Sequence, residues 1–204
     1  TSLDNIIRIS EIILKIKESI KLFDENEFSN IICDTFTRIA NSDIRIFSVT
    51  AIEPLTSKLP KSEKWLSLFI TFLKTDLFDK RLFALRKIDQ MLNDKKYSSQ
   101  MVNFLRENID TILLLPPHQE FYPLLGHICA ESLKNDLISF DKIREFWNNQ
   151  DYVHQSEQNG FFSMFVKISS DLPPEFCNDF VNLILHPKNK NIEWVKALSM
   201  ICTN

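Results

Sequence analysis

The sequence predicts an all-α protein, built as a right-handed α-solenoid of about five antiparallel helical hairpins. Three observations predict it. Apolar residues recur at steps of three and four along nearly the whole chain, the spacing of one buried helix face. Glycine is nearly absent, with two in 204 residues, Gly126 and Gly160, against an average of about 7%. Glycine supplies positive φ in tight hairpins and lets backbone approach phosphate. A phosphate-cradling glycine loop is therefore excluded, and a sheet built on glycine turns is disfavoured. Third, short polar turns separate the apolar stretches at fairly even intervals.

Each element has its own signal. Ile6, Ile9, Ile13, Ile16 and Ile20 make an amphipathic helix over about 4–23, closed by a turn at Asp24 to Asn26. Phe28, Ile31, Ile32, Phe36 and Ile39 give the next, over about 27–41. Ser42 and Asp43 cap a third, with Ile44, Phe47, Ala51 and Ile52, which Pro54 stops. The brief alternation from Ile44 to Val49 reads as helix because of those flanks. Ser62 caps a helix that turns Trp65, Leu66, Phe69, Ile70 and Leu73 inward. Asp79 opens one with a Leu82, Leu85, Ile88 and Leu92 stripe, and Ser98 one with Met101, Val102 and Leu105.

The run Ile112 to Leu115 suggests a short extra helix ended by Pro116 and Pro117. A helix follows over about 120–134, with Pro123 tolerated in its first turn. Ser139 caps one with Ile143, Phe146 and Trp147, and another runs over about 154–170 with Phe161, Phe162, Phe165, Val166 and Ile168. Pro173 and Pro174 start a helix with Phe176, Phe180, Val181 and Ile184. Asn191 precedes the last, with Trp194, Val195, Leu198 and Ile201.

Successive hairpins start near 5, 43, 79, 120, 154 and 191. Steps of about 34 to 41 residues fall in the range of HEAT, armadillo or tetratricopeptide units. The Trp, Gly, Tyr and Pro pattern of tetratricopeptides is missing, so an irregular HEAT/armadillo-like stack fits best. No linker or low-complexity stretch divides the chain, so residues 1–204 read as one solenoid segment. The start at Thr1 and the stop at Asn204, both amid apolar periodicity, suggest a piece of a longer protein.

Composition narrows function. Apolar residues are 44% and charged residues 25% of the chain, enough for a core and unlike a disordered chain. No apolar run reaches the roughly 20 residues of a membrane span. The net charge is -3. It is +2 up to Val102, with 16 basic and 14 acidic residues, and -5 after it, with 8 and 13. Lys80, Arg81, Arg86, Lys87, Lys95 and Lys96 are interleaved with Asp76, Asp79, Asp89 and Asp94. They read as a solvated helix face rather than a nucleic-acid groove.

No catalytic, cofactor-binding or metal-binding residue emerges. Cys33, Cys129, Cys177 and Cys202 are scattered among apolar neighbours. They read as small core residues in a reducing, cytoplasmic setting. Cys177 has the best electrostatic position for a nucleophile, in a first helical turn, yet Phe176 and Phe180 beside it favour packing. His127 and Cys129 are two apart and so on roughly opposite helix faces, while His118, His154 and His186 stand alone as surface or cap residues. Asp24 with Glu25, and Glu107 with Asp110, read as solvated charge. Trp147 lies four residues from Ile143 and reads as a core anchor, with His154 capping or bridging the turn beyond.

One stretch carries a resemblance. Leu105-Arg106-Glu107-Asn108-Ile109 ends a helix and is followed by a loop with His118. Then come a long helix and the rhythm Phe140-Asp141-Lys142-Ile143-Arg144-Glu145-Phe146-Trp147, with Gln150 and His154 after it. An apolar helix and the start Pro174-Glu175-Phe176 complete the order. Over about 85 residues from Met101 this resembles the helical-repeat region upstream of the catalytic domain in the very large ubiquitin-specific proteases of the fat-facets class. Arg81 to Asp89 is similar to that family's repeat entry. The resemblance implies a non-catalytic scaffold segment of a cysteine-type deubiquitinase, one that positions the protease or binds partners, among them ubiquitinated substrates. The Gly-rich catalytic Cys and His boxes of that family have no match here, so no catalytic role carries over to any residue. The alternative is a HEAT/armadillo-type adaptor with no protease attached. A self-contained enzyme ranks third. Protein partners and the rest of a parent chain are expected; nucleic acid, membrane and cofactors are not.

Overall fold

The computed structural model describes residues 63–149, 153–187 and 190–203, with Arg8, Ile12, Asp34, Thr37 and Asn41 described singly. The helices expected over 4–23, 27–41 and from Ser42 to Pro54 lie outside the described residues, as do Ser62, Cys33, Asp24 with Glu25, and Gln150. Among the described residues the protein is all-α, with eight α-helices and no strand. None of these helices is long and apolar enough to cross a membrane. The chain divides into two compact units, Thr1–Ala84 and Leu85–Asn204.

In the first unit α1 spans Glu63–Leu73. It buries Trp65, Leu66, Phe69 and Leu73, the expected stripe, and leaves Ile70 half-buried. Helix α2 spans Phe78–Leu92 and crosses the unit boundary. Its Phe83 ring meets Phe72 edge-on at 5.6 Å. Lys80, expected on a solvated face, is fully buried. It sits one turn from the core residues Phe83 and Ala84, on the apolar side of the helix.

In the second unit α3 is Ser98–Leu113 and α4 is Tyr122–Lys134. The run Ile112 to Leu115 is not a separate helix: α3 continues through Ile112 and Leu113, which complete its buried stripe of Phe104, Leu105 and Ile109. Pro123 stands in the first turn of α4 as expected. That helix stops without glycine. Asp136 takes a φ of 53°, and the Leu137 and Asp136 amides donate to the Ser132 and Leu133 carbonyls at 2.9 and 3.1 Å. A short polar side chain makes this left-handed helix stop tolerable.

Helix α5 is Phe140–Asn148, with Ser139 at its N-cap position. The helix expected from about 154 opens instead as a 3-10 turn, Gln155–Glu157, and α6 runs Gln158–Asp171. His154 caps that turn, its ring accepting the Ser156 amide at 3.3 Å. Another 3-10 turn, Pro174–Phe176, leads into α7, Cys177–Ile184. Helix α8 is Ile192–Thr203. Asn191 caps it, accepting the Trp194 amide at 2.8 Å, and donates to Gln158 at 2.6 Å. Val181 and Val195, expected inward, are exposed. Phe180, Ile184 and Ala197 take the buried faces of their helices instead.

In this unit α4 lies chiefly on α6 and α6 on α8, with smaller contacts of α3 on α4 and of α5 on α7. Both glycines serve the α4 and α6 layer. A Cβ built on Gly126 would lie 2.6 Å from the Met164 carbonyl oxygen of α6. One built on Gly160 would lie 2.7 Å from the Gln119 backbone. Trp147, 3% exposed, seats on the same layer, its ring 4.8 Å from Phe165 and 6.0 Å from Phe162.

Trp147→Ala should cost about 3–5 kcal/mol of unfolding free energy, the usual loss for a buried aromatic. Hydrogen exchange should quicken first in α4 to α7; unchanged exchange would contradict the core role. Gly126→Ala should destabilise by about 1–3 kcal/mol, because overpacking against backbone exceeds alanine's better helix propensity. A raised melting midpoint for that variant would show that the close approach is not real.

Candidate functional site

At the C-terminal end of α3 the described surface turns concave, charged beside Asp110, Lys142 and Glu145 and apolar beyond Leu114. Two adjoining hollows of about 430 and 410 Å³ share Leu113, Leu114, Phe146 and Asn149, and so form one groove. Its walls are the end of α3 and the outer side of α5. Leu115, Pro117 and Val153 extend it. Tyr122 and Phe161 line its far end.

Local sequence explains the shape. Pro116 and Pro117 cannot continue α3, so the helix ends at Leu113 with Leu114 as its C-cap, whose amide donates to the Asp110 carbonyl at 3.0 Å. The side chain of Leu114 is left 80% exposed at the groove's rim. Phe146 is half-buried while its neighbour Trp147 is buried, which puts one aromatic in the groove and the other beneath it. The floor is stiff. Tyr122 meets Phe161 edge-on at 5.7 Å, and Phe161 stacks on Trp147 at 6.4 Å. Burial, with Glu157 nearby, pushes the Tyr122 hydroxyl up to about 12.

A second constellation was not legible in the sequence. His127, for which the sequence gives only a face roughly opposite that of Cys129, is 5% exposed. Its Nδ1 lies 2.6 Å from Asp89 Oδ1 of α2. A carboxylate only accepts, so Nδ1 carries the hydrogen and donates it. Asp171 of α6 adds charge on the other side. Burial alone would raise the Asp171 carboxyl; Lys167, which donates to it at 2.8 Å, together with Lys134 and His127, outweighs burial and holds it below its usual value. The cluster ties the 85–92 part of α2, α4 and α6 together. The pair Asp89 and His127, 38 residues apart, carries no local spacing signal. Only the burial of positions around His127 on a strongly apolar helix could have hinted at it.

The cysteines split. Cys129 is buried, as expected, and burial pushes its thiol up to about 12, so it is no nucleophile at neutral pH. Cys177 and Cys202, expected in the core, are exposed. Cys177 stands at the start of α7, where its thiol lies 3.9 Å from the Pro173 carbonyl. Cys202 is in the last turn of α8. Lys87 is buried rather than solvated and donates to Gln90 at 3.0 Å. Arg86 does stay at the surface, paired with Glu120 at 3.1 Å. Arg81 pairs with Asp76 at 3.3 Å. Lys96's side chain lies outside the described residues. The remaining histidines serve local bonds: His118 accepts the Glu120 amide at 3.2 Å, and His186 donates to the Asn182 carbonyl at 2.8 Å. Among the described residues no three His, Cys, Asp or Glu side chains converge on a metal position.

Two outcomes follow for the cysteines and the groove floor. In a Cys33→Ser background, a thiol reagent should label Cys177 and Cys202 in the native protein and Cys129 only after unfolding. Stability should also fall at high pH. Folded, Cys129 and Tyr122 keep their protons up to about 12, whereas the unfolded chain releases them near 9.0 and 10.0. The unfolded state then binds fewer protons. Stability is full below pH 9 and drops as pH rises toward 12, and urea midpoints read it. A flat profile over that range would contradict the burial of both groups.

No family model matches the chain, and no match was found to a curated protein or to a solved structure.

Proposed function

We propose that the chain is a non-catalytic helical scaffold that binds protein segments in the groove between the end of α3 and α5. The groove carries this reading. It is concave, it is apolar beyond Leu114, it rests on packed aromatics, and it has an 80% exposed leucine at its rim. Large exposed apolar side chains beside a concave apolar surface mark recognition sites.

The finer architecture belongs to the same proposal. Packing of α4 on α6, α6 on α8 and α5 on α7 supports hairpins stacked as an α-solenoid, because stacked repeats place alternate helices in one layer. The order of residues from Met101 to Ile184 supports a place within a large cytoplasmic deubiquitinase. There the segment would position the protease domain or hold ubiquitinated substrates. The adaptor without a protease is the alternative. The reading frame that carries this sequence separates the two: a downstream Gly-rich Cys box and His box favour the first.

Peptide-display selection on the 204-residue chain tests the groove. Leu114→Asp should leave the unfolding free energy within about 0.5 kcal/mol of wild type, as an exposed substitution, and should abolish binding of selected peptides. Peptides that bind the variant as well as wild type would place recognition elsewhere. Ubiquitin-fluorophore cleavage by the chain, lost on Cys177→Ala, would overturn the non-catalytic reading.

A further inference from the structure

The groove has a charge as well as a shape. Asn103, Glu107, Asp110 and Leu114 step by four, three and four along α3 and are all exposed, so they form one stripe that ends at the groove. Asp110 is itself part of the lining. Among the described residues neither Glu107 nor Asp110 is in an ion pair. The opposite wall lines the same hollow with one cation, Lys142, and one carboxylate, Glu145, and so adds no net charge. Lys142 is matched by Glu145 at 2.9 Å, and Arg144 by Asp141. Arg106, on α3 itself, donates to Asn103 at 2.9 Å, toward the helix start and away from the groove. The rim is therefore apolar at Leu114 and net acidic over the two turns before it.

We infer that the groove takes an apolar segment carrying Lys or Arg close to its bulky anchor. This rests on the groove reading above and names the chemistry of its occupant. Four and seven residues of helix place Asp110 and Glu107 about 6 and 10 Å from Leu114 along the axis. A ligand anchored against Leu114 and Phe146 meets both carboxylates if its basic residues lie at similar distances. In a helical ligand that means four and seven positions from the anchor, on one face. A ligand with acidic residues there meets like charge.

The probe is a fluorescein-labelled amphipathic peptide of about 18 residues, with Leu and Phe anchors and Lys at those two positions. Its twin carries Glu in place of each Lys. Anisotropy titrations use the full 204-residue chain. The Lys peptide should bind and weaken as salt rises. Asp110→Lys should weaken it about five- to tenfold and strengthen the Glu peptide. Asp110→Asn, which keeps the shape, should show a smaller loss. Leu114→Asp should abolish binding of both peptides.

If both peptides bind wild type equally and both are lost in Leu114→Asp, the groove stands and the basic-partner inference falls. If the Lys peptide binds but is indifferent to Leu114→Asp, both fall. If neither peptide binds and sedimentation shows a dimer that Leu114→Asp dissolves, the occupant is a second copy and the inference is overturned. If neither binds and the chain is monomeric, it is overturned too.

Discussion

The approach of α4 to α6 at Gly126 fixes the geometry of the second unit. With 2.6 Å between a would-be Cβ and the Met164 carbonyl, the two backbones meet with no side chain between them. A glycine inside a helix costs about 1 kcal/mol relative to alanine. It is kept where close contact returns more than that. The same layer accounts for the chain's only other glycine, at which the Gln119 backbone lies against α6. The scarcity of glycine in the sequence thus has a positive side: both copies are spent on one interface.

That interface sets what lies around it. It holds Phe161 and Phe165 of α6 beside Tyr122 of α4, and Trp147 can seat on them only while α6 keeps its place. The groove floor is the outer surface of this cluster. On another side of α4, His127 reaches Asp89, while Lys134 and Lys167 converge on Asp171 at 4.0 and 2.8 Å. Apolar packing provides most of the attraction between the helices. The polar cluster adds direction, since a buried imidazole satisfied by a carboxylate in one position is left costly in others. A helix shift that broke the His127 bond would also move the aromatic floor.

The sequence displayed the helices well because each is amphipathic on its own, and local periodicity needs no tertiary knowledge. It located Trp147 in the core, His154 as a cap and Pro123 in a first turn. It misjudged Lys80 and Lys87 and offered nothing on the pairing of His127, because burial of a polar residue depends on which neighbour covers it and which group pairs with it. It also misjudged Cys177 and Cys202, since small apolar context in sequence does not say whether another helix lies over the thiol. The break at 112–115 failed for a simpler reason: a helix C-terminus and a short helix have the same apolar spacing. The groove was invisible as a site. Leu114, Phe146 and Tyr122 come from three helices, and although Phe146 faces away from Trp147 and reads as the more exposed of the two, no local spacing joins the three.

Magnitudes decide what kind of binding this groove can support. Covering a leucine fully is worth about 1.5–3 kcal/mol, and Leu114 is already 20% covered, being 80% exposed. An anchor supplied by the ligand adds a similar amount, and each solvent-exposed charge pair adds about 0.2–1 kcal/mol. Ordering a peptide costs part of that sum. Micromolar affinity needs about 8 kcal/mol, so a single segment in this groove reaches micromolar strength only with two or three anchors seated. The groove alone is thus suited to weak, reversible capture. Such capture becomes effective when several sites act together, because linkage raises the effective concentration of the second contact. On the proposed reading a helical scaffold would supply that setting, whereas a solitary high-affinity receptor would need a deeper and more enclosed pocket than α3 and α5 provide.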